Sequence, residues 1–336
     1  MTKAVRLAVT MGDPGGIGPE IIAKAANQLR DEIINGRMQF IVLGSEKAMA
    51  MACAQTGLAG DTLPLTLIDV GPVAGEIETG KITSVGGEWS YRAVKKAAEM
   101  VLAGEADAIV TAPLSKEALH MAGHYFEGHT ELLAHLSDQQ DAVMMLAHGP
   151  MRVSHVTTHC AINDITKRLT PTRLRRVFDV TLEALECLGI EKPRLGVAAL
   201  NPHAGEGGIL GKEDDEIIAP VIREYVSRGV DITGPVPGDT VFIKLRGNLF
   251  DAVVAMYHDQ GHIPVKLLGF NVDPATGKWQ AISGVNVTLG LPILRTSVDH
   301  GTAFDIAGKG IANPDSLIDA AEYALKLLEG RRKKGL

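Results

Sequence analysis

The chain has 336 residues, a length that suggests two lobes rather than one compact core. Its 46% hydrophobic and 22% charged residues are typical of a globular protein, and its net charge of −7 argues against a nucleic-acid-binding surface. No apolar run approaches the roughly 20 residues of a membrane helix. The three cysteines lack the spacing of a disulfide framework or a zinc knuckle, so we expect a cytoplasmic protein.

Short apolar segments rich in Val, Ile and Leu alternate along the chain with segments of helical periodicity. In the first half, strands are predicted at 5–11, 40–43, 65–70 and 108–111, with one helix beginning at Pro19 and another at 88–102. In the second half, strands are predicted at 143–146, 153–157, 195–200 and 253–256, with helices at 172–188, 213–227 and 315–328. This alternation predicts an α/β fold with mostly parallel sheets.

Histidines follow three of the predicted strands at the point where each strand ends: His159, His203 and His258. Because the carboxyl ends of parallel strands lie at one edge of a sheet, the three imidazoles are candidates for one divalent-metal site. A single histidine at such a place is more often an ordinary hydrogen-bonded residue, so both interpretations stay open at this point. Asp259, next to His258, is a candidate partner for a metal-bound imidazole.

Two further segments have the composition of ligand-binding loops. The run 11–20 (MGDPGGIGPE) joins a strand to a helix, where backbone N–H groups bind an anion or simply form a tight turn. It lacks the GxGxxG pattern of a Rossmann cofactor site. Residues 128–131 open a helix with Thr130 as the expected N-cap, and this helix start suits either a phosphate group or capping alone.

Other polar residues are less informative by themselves. Lys266, Asn286 and Arg295 lie near the ends of apolar segments, and Lys and Arg are the expected clamps for phosphate or carboxylate, although each is individually more often a surface residue. Six histidines show no comparable pattern and are interpreted as structural: His120, His124, His135, His148, His155 and His262. The basic run 331–334 is interpreted as a solvated tail.

Together these segments resemble those of one family, the 4-hydroxythreonine-4-phosphate dehydrogenases. Signature-like stretches occur in order along nearly the whole chain, at 11–20, 111–116, 128–131, 201–208, 234–242, 257–270 and 285–308. The resemblance implies a fold like that of isocitrate and isopropylmalate dehydrogenases, with two α/β lobes, a cleft between them and a tight homodimer. The expected first lobe comprises 1–127 and 284–336. The second, 128–283, is expected to carry the metal ligands and the dimer interface.

The resemblance also implies roles for individual residues. The metal ligands fall on His159, His203 and His258, with the third ligand supplied by the other subunit. The implied substrate-binding positions are His129, Thr130, Lys266, Asn286 and Arg295. Asp239, Asp259 and Lys266 match residues that assist catalysis. The implied cofactors are NAD, for which the resemblance identifies no binding residues, and one divalent cation, which is Zn, Mg, Mn or Co.

The implied reaction is the NAD-dependent oxidation and decarboxylation of a 4-phosphorylated hydroxy acid. The stretch 111–116 differs from that of the vitamin B6 biosynthetic members, and the segment 271–283 is longer than theirs. Both features favour the catabolic branch, which converts D-threonate or D-erythronate 4-phosphate to dihydroxyacetone phosphate. One alternative is the dehydrogenation of 4-hydroxythreonine 4-phosphate in pyridoxal phosphate biosynthesis. Another is a metal-dependent sugar-phosphate lyase that does not use NAD.

Overall fold

A computed structural model describes residues 4–139, 141–272, 274, 279–282 and 284–335. Part of the long segment 271–283 therefore lies outside the described residues. Contacts between residues group the chain into two compact units, one made of 1–142 and 291–328 and the other of 143–290 and 329–336. Both units combine helices with a sheet, so the predicted α/β class is confirmed. The division into lobes 1–127 with 284–336 and 128–283 stays a prediction.

The first unit has five parallel strands in the order β3-β2-β1-β4-β13. These strands are β1 (Val5–Thr10), β2 (Met38–Gly44), β3 (Leu65–Asp69), β4 (Ala108–Thr111) and β13 (Arg295–Val298). Its helices are α1 (Gly18–Gln28), α2 (Arg30–Ile34), α3 (Glu46–Thr56), α4 (Ser84–Leu102), α5 (Lys116–Met121) and α6 (His129–Leu136), and α12 (Asp315–Lys334) begins in this unit. Three of these helices have a hydroxyl side chain as their N-cap. Ser45, Thr83 and Ser115 accept hydrogen bonds from backbone N–H groups in the first turns of α3, α4 and α5, respectively.

The core of the first unit is built largely from small and branched aliphatic side chains. Ala93, Ala97 and Ala98 of α4 pack against strand residues such as Ala8 and Ile109. Leu132 and Leu133 of α6 also belong to this core. The packing fixes α6 and therefore its first turn, which carries two of the predicted substrate-binding residues.

The second unit has six strands in the order β12-β5-β6-β9-β7-β8. They are β5 (Val143–His148), β6 (Met151–His155), β7 (Leu195–Ala198), β8 (Ile232–Val236), β9 (Ala252–Ala255) and β12 (Val285–Leu289), and a separate antiparallel pair is formed by β10 (Phe270–Val272) and β11 (Trp279–Ile282). The helices are α7 (Ile165–Arg168), α8 (Pro171–Cys187), α9 (Ala219–Ser227), α10 (Gly238–Arg246) and α11 (His258–Gly269). Strands β6, β9, β7 and β8 run parallel, whereas β12–β5 and β5–β6 are antiparallel.

Two local predictions are wrong. Helix α6 begins at His129 with Gly128 as its N-cap, so Thr130 lies inside the first turn rather than at the cap. The basic run 331–334 is the last turn of α12 rather than an irregular tail, although residues 332–334 are exposed as predicted, and the Arg331 Nη2 lies 3.1 Å from the Glu183 Oε1. Among the described residues, no helix combines the length and the hydrophobicity needed to cross a lipid bilayer.

Candidate functional site

The three histidines of the predicted metal site follow three strands that are neighbours in the second unit. Strand β9 pairs in parallel with β6 on one side and with β7 on the other. His159, His258 and His203 come three to five residues after the ends of β6, β9 and β7, respectively. The chain therefore brings all three to the carboxyl edge of one sheet, where ligand sites of α/β proteins form.

Side-chain hydrogen bonds tie the ends of these strands together. The Thr157 Oγ1 donates to the Met256 carbonyl at 2.8 Å, which joins the end of β6 to that of β9. The Gln260 side chain joins β9 to β7, because its Oε1 accepts from the Met256 N–H and its Nε2 donates to the Ala199 carbonyl, both at 2.7 Å. Gln260 was not predicted as a site residue from the sequence. Its position in the first turn of α11, close to His258, could have indicated a role near the strand ends.

Asp259 holds the ring of His258. The Nδ1 of His258 lies 2.7 Å from the Asp259 Oδ1, and an ionised carboxylate only accepts, so Nδ1 carries the proton. The Nε2 is then left with its lone pair, which is the form that binds a metal. The centroid of the His159 ring lies 5.9 Å from that of His258, close enough for both rings to face one cation. Two of the three predicted ligands are thus neighbours within the chain.

Two other histidines pack against His258. The His262 ring stacks on that of His258 with centroids 3.6 Å apart, and its Nδ1 lies 2.9 Å from the His258 carbonyl oxygen. His155 packs against His262 with centroids 4.7 Å apart. Burial lowers the pKa of His155 to about 4 and that of His262 to about 2, so both rings are neutral at physiological pH. This contact was not predicted, although His262 lies one helical turn after His258 in α11.

His203 stands apart from this pair in a single chain. It is exposed and has a left-handed backbone with φ of 51°. Over the residues that the structure describes, His203 joins no group of three ligand atoms close enough to hold one cation. The three-histidine site therefore stays a prediction.

The remaining predicted residues of the second unit lie on α10, α11 and β12. Lys266 is two turns beyond His258 on α11, and its Nζ lies 5.0 Å from the centroid of the Phe270 ring. Asp239 is exposed in the first turn of α10. Asn286 is half-buried on β12, and its Oδ1 has no hydrogen-bond partner among the described residues. A buried amide oxygen of this kind is a natural acceptor for a ligand hydroxyl.

In the first unit, Arg295 is anchored at the start of β13. Its side chain is 4% exposed, and its Nε and Nη2 donate to the Thr111 Oγ1 at 3.2 and 2.9 Å. Burial lowers the pKa of Arg295 to about 9, an effect that the Glu131 carboxylate opposes, so the guanidinium stays charged at neutral pH. Thr111 was not identified as a site residue from the sequence.

His129 lies in the same unit, at the start of α6, and Thr130 follows it in the first turn. Burial lowers the pKa of His129 well below its ordinary value, and the Arg295 charge lowers it further. The imidazole is therefore neutral, and its buried Nε2 has no hydrogen-bond partner within the described part of the chain. A neutral ring beside a buried cation can hydrogen-bond an anionic group without adding charge.

Comparison with known proteins identifies the family. Residues 18–324 match the model described as pyridoxal phosphate biosynthetic protein PdxA. The chain belongs to the PdxA family. A protein of Bradyrhizobium diazoefficiens, provisionally named a D-threonate 4-phosphate dehydrogenase, is 56% identical over 334 residues, which cover 96% of this PdxA chain and 97% of the relative.

Two further relatives agree with this assignment. The D-threonate 4-phosphate dehydrogenase of Salmonella typhimurium is 42% identical to this PdxA chain, with 97% of this chain and 99% of the relative covered. A crystal structure of the 4-hydroxythreonine-4-phosphate dehydrogenase from Klebsiella pneumoniae is 38% identical, has a TM-score of 0.78, and covers 97% of this chain and 100% of its own. The resemblance found in the sequence is confirmed, and so is the prediction of a dehydrogenase.

Proposed function

We propose that this chain is a NAD- and divalent-metal-dependent dehydrogenase that oxidises and decarboxylates D-threonate or D-erythronate 4-phosphate to dihydroxyacetone phosphate. The names of the Bradyrhizobium and Salmonella relatives support this substrate class, as do the features of segment 111–116. The observation that carries the proposal is the set of three histidines after adjacent parallel strands, with one ring already oriented by a carboxylate.

Two other functions remain candidates. 4-Hydroxythreonine 4-phosphate is the substrate named for the Klebsiella relative, and it carries an amino group where threonate has a hydroxyl. A sugar-phosphate lyase using the same histidines without NAD is the other. The dehydrogenase names of the relatives weigh against the lyase.

The donors of the second unit fit a divalent cation. His258 presents Nε2 because Asp259 holds Nδ1, and His159 is the nearest other predicted ligand. A bound cation would polarise the hydroxyl and carboxylate oxygens of the substrate. Since Asp259 is engaged with the imidazole, its role is to orient the ring. Asp239 and Lys266 are then the candidates for removing the hydroxyl proton.

Cationic and neutral polar groups of the chain suit an anionic substrate. In the first unit these are Arg295, a candidate anchor for an anionic group, and His129, whose buried Nε2 can hydrogen-bond one. In the second unit they are Lys266, a candidate anchor, and Asn286, whose buried Oδ1 can accept from a hydroxyl. NAD, when bound, would accept a hydride from the hydroxyl-bearing carbon, and the base would take the hydroxyl proton. The β-keto acid that results loses CO2, and a proton returned to the carbon completes the product.

We propose that the active form is a homodimer. Large apolar side chains are exposed shortly after each histidine of the set: Ile162 is 80%, Ile209 79% and Leu267 79% exposed. Exposed apolar side chains in three segments that carry predicted metal ligands favour coverage by another protein chain. A second copy would cover them and, as the resemblance implies, supply the third imidazole. The free Cys53, Cys160 and Cys187 support a reducing, cytoplasmic setting.

The substrate class is tested by following NADH formation. With a divalent cation present, we expect kcat/KM for D-threonate or D-erythronate 4-phosphate to exceed that for 4-hydroxythreonine 4-phosphate by about tenfold or more, because a site that hydrogen-bonds a hydroxyl discriminates against its replacement. The reverse order would assign the chain to pyridoxal phosphate biosynthesis. Product formed at equal rates with and without NAD would instead identify a lyase.

Thr111 offers a sharper test of the Arg295 anchor. Thr111→Val removes the hydroxyl that accepts from the guanidinium, and we expect KM for the phosphorylated substrate to rise about tenfold, equivalent to about 1.4 kcal/mol. Thr10→Val is the matched control. Thr10 is the register neighbour of Thr111 on β1, is equally buried, and has a hydroxyl without a partner among the described residues. A similar KM for both variants would contradict the anchoring role.

A further inference from the structure

The turn that carries His203 has an unusual backbone. His203, Ala204 and Glu206 have φ values of 51°, 54° and 43°, and the intervening and following glycines at 205, 207 and 208 are also positive. Six consecutive residues are therefore left-handed. For residues with a Cβ this conformation is unfavourable, and it persists where the surrounding structure enforces it. Such strain commonly accompanies a functional group that must be held in one orientation.

Asp214 binds the backbone that leads into this turn. Its side chain is completely buried. Its Oδ1 accepts from the Leu200 N–H at 2.8 Å, and its Oδ2 accepts from both the backbone N–H and the Nδ2 of Asn201 at 3.0 Å. The carboxylate thus binds the two residues that lead from β7 into the left-handed turn. It lies at the start of a π-helical turn, Asp214–Ile218, a feature frequent at functional sites.

Asn201 and two glycines complete the clamp. The Asn201 Nδ2 also donates to the Glu213 Oε2 at 2.8 Å, and the Asn201 carbonyl accepts from the Ala204 N–H at 3.2 Å. A Cβ on Gly211 would lie 2.5 Å from the Asn201 Nδ2, and one on Gly205 would lie 2.7 Å from the Gly211 carbonyl oxygen. The turn therefore packs directly against Gly211, in the segment that precedes Asp214, and this close packing leaves no space for the turn to move toward that segment.

We propose that Asp214, acting through Asn201, is a positioning residue that holds His203 in the orientation required to bind the divalent cation. This inference rests on the proposed metal site and adds to it a residue outside the ligand set. Asp214 lies eleven positions after His203 and acts on the backbone at 200 and 201 rather than on the imidazole. Partners that orient a metal ligand contribute substantially to metal affinity.

The test uses Asp214→Asn, which keeps the shape of the side chain but places an NH2 group where the carboxylate accepts N–H bonds. Asp215→Asn is the charge-matched control, since Asp215 is exposed in the same turn. We expect Asp214→Asn to weaken Mn2+ or Zn2+ binding by about 10- to 100-fold, as measured by competition with a chromophoric chelator. Hydrogen exchange measured by mass spectrometry should rise at amides 200–208, and Asp215→Asn should match the wild type in both measurements.

Asn201→Ala provides a second test if the Asp214→Asn protein does not fold. Asn201→Ala retains the buried carboxylate and its two backbone bonds, and we expect a smaller loss of cation affinity in the same direction. Cation affinities within about twofold of the wild type for the variants that fold would overturn the proposal. A loss of cation affinity accompanied by faster hydrogen exchange across the whole chain would also overturn it, because the variant would then be destabilised as a whole. A wild-type protein that binds no divalent cation would instead refute the proposed function itself.

Discussion

Replacing His203 with alanine should abolish both turnover and metal retention. If three imidazoles hold the cation, removing one leaves a pair that binds it weakly and cannot polarise the substrate. We expect kcat/KM to fall by about a thousandfold or more, equivalent to about 4 kcal/mol of lost transition-state stabilisation. The measurements are NADH formation with saturating cation and the metal content of the purified protein.

His120→Ala is the matched control for this variant. His120 is an exposed histidine in the first unit, and its removal should leave metal content and activity unchanged. Metal content and activity in His203→Ala close to those of the wild type would refute the ligand assignment. A His203→Ala protein that retains the metal but loses activity would assign His203 to another step.

The same variant also tests whether the site is shared between subunits. We expect chains carrying His203→Ala to be inactive alone, and likewise chains carrying His258→Ala. If one chain supplies two ligands of each cation and the other chain the third, with His203 and His258 coming from different chains, a mixed dimer has one complete site. Random mixing of the two variants should then restore about a quarter of wild-type activity. No restoration in verified mixed dimers would place all three ligands within one chain.

The positions of the three histidines were predictable because they depend on strand ends. Strands β7 and β9 are short runs of buried small and aliphatic residues, and β6 is buried at four of its five positions although it also carries polar residues. Such buried runs mark where a parallel strand stops. Parallel pairing then brings the following residues to one edge without further information. The contact between His258 and Asp259 followed equally from their adjacency in the sequence.

Residues that act through the folded backbone could not be found in this way. In the sequence, Asp214 cannot be distinguished from any acidic residue at the start of a helix. Its connection to the left-handed turn of His203 is evident only in the folded structure. Thr111 is one hydroxyl at the end of a buried strand, and its role depends on Arg295, which is 184 positions away. Strands β12 and β13 were missed because Asn286 and Arg295 interrupt the apolar pattern, and those polar residues are the predicted ligand-binding positions.

Arg295→Ala should raise KM for the phosphorylated substrate by about a hundredfold or more and should leave KM for NAD almost unchanged. The reason is the place of the guanidinium, which is 4% exposed and fixed by Thr111 at the start of β13. A charged hydrogen bond made in such a buried position contributes more than one made in water, because water screens it less. Initial-rate kinetics with each substrate varied in turn separate the two constants.

Arg295→Lys distinguishes charge from geometry in the same experiment. Lysine keeps the positive charge but lacks the planar fork that bonds Thr111 and an anion together, so its KM for the phosphorylated substrate should lie between those of the wild type and Arg295→Ala. If Arg295 binds the phosphate, KM for D-threonate without its phosphate should differ little among the three proteins. A large difference in that KM would indicate that Arg295 binds the carboxylate instead. Equal changes in KM for the phosphorylated substrate and KM for NAD would show that Arg295 only supports the fold.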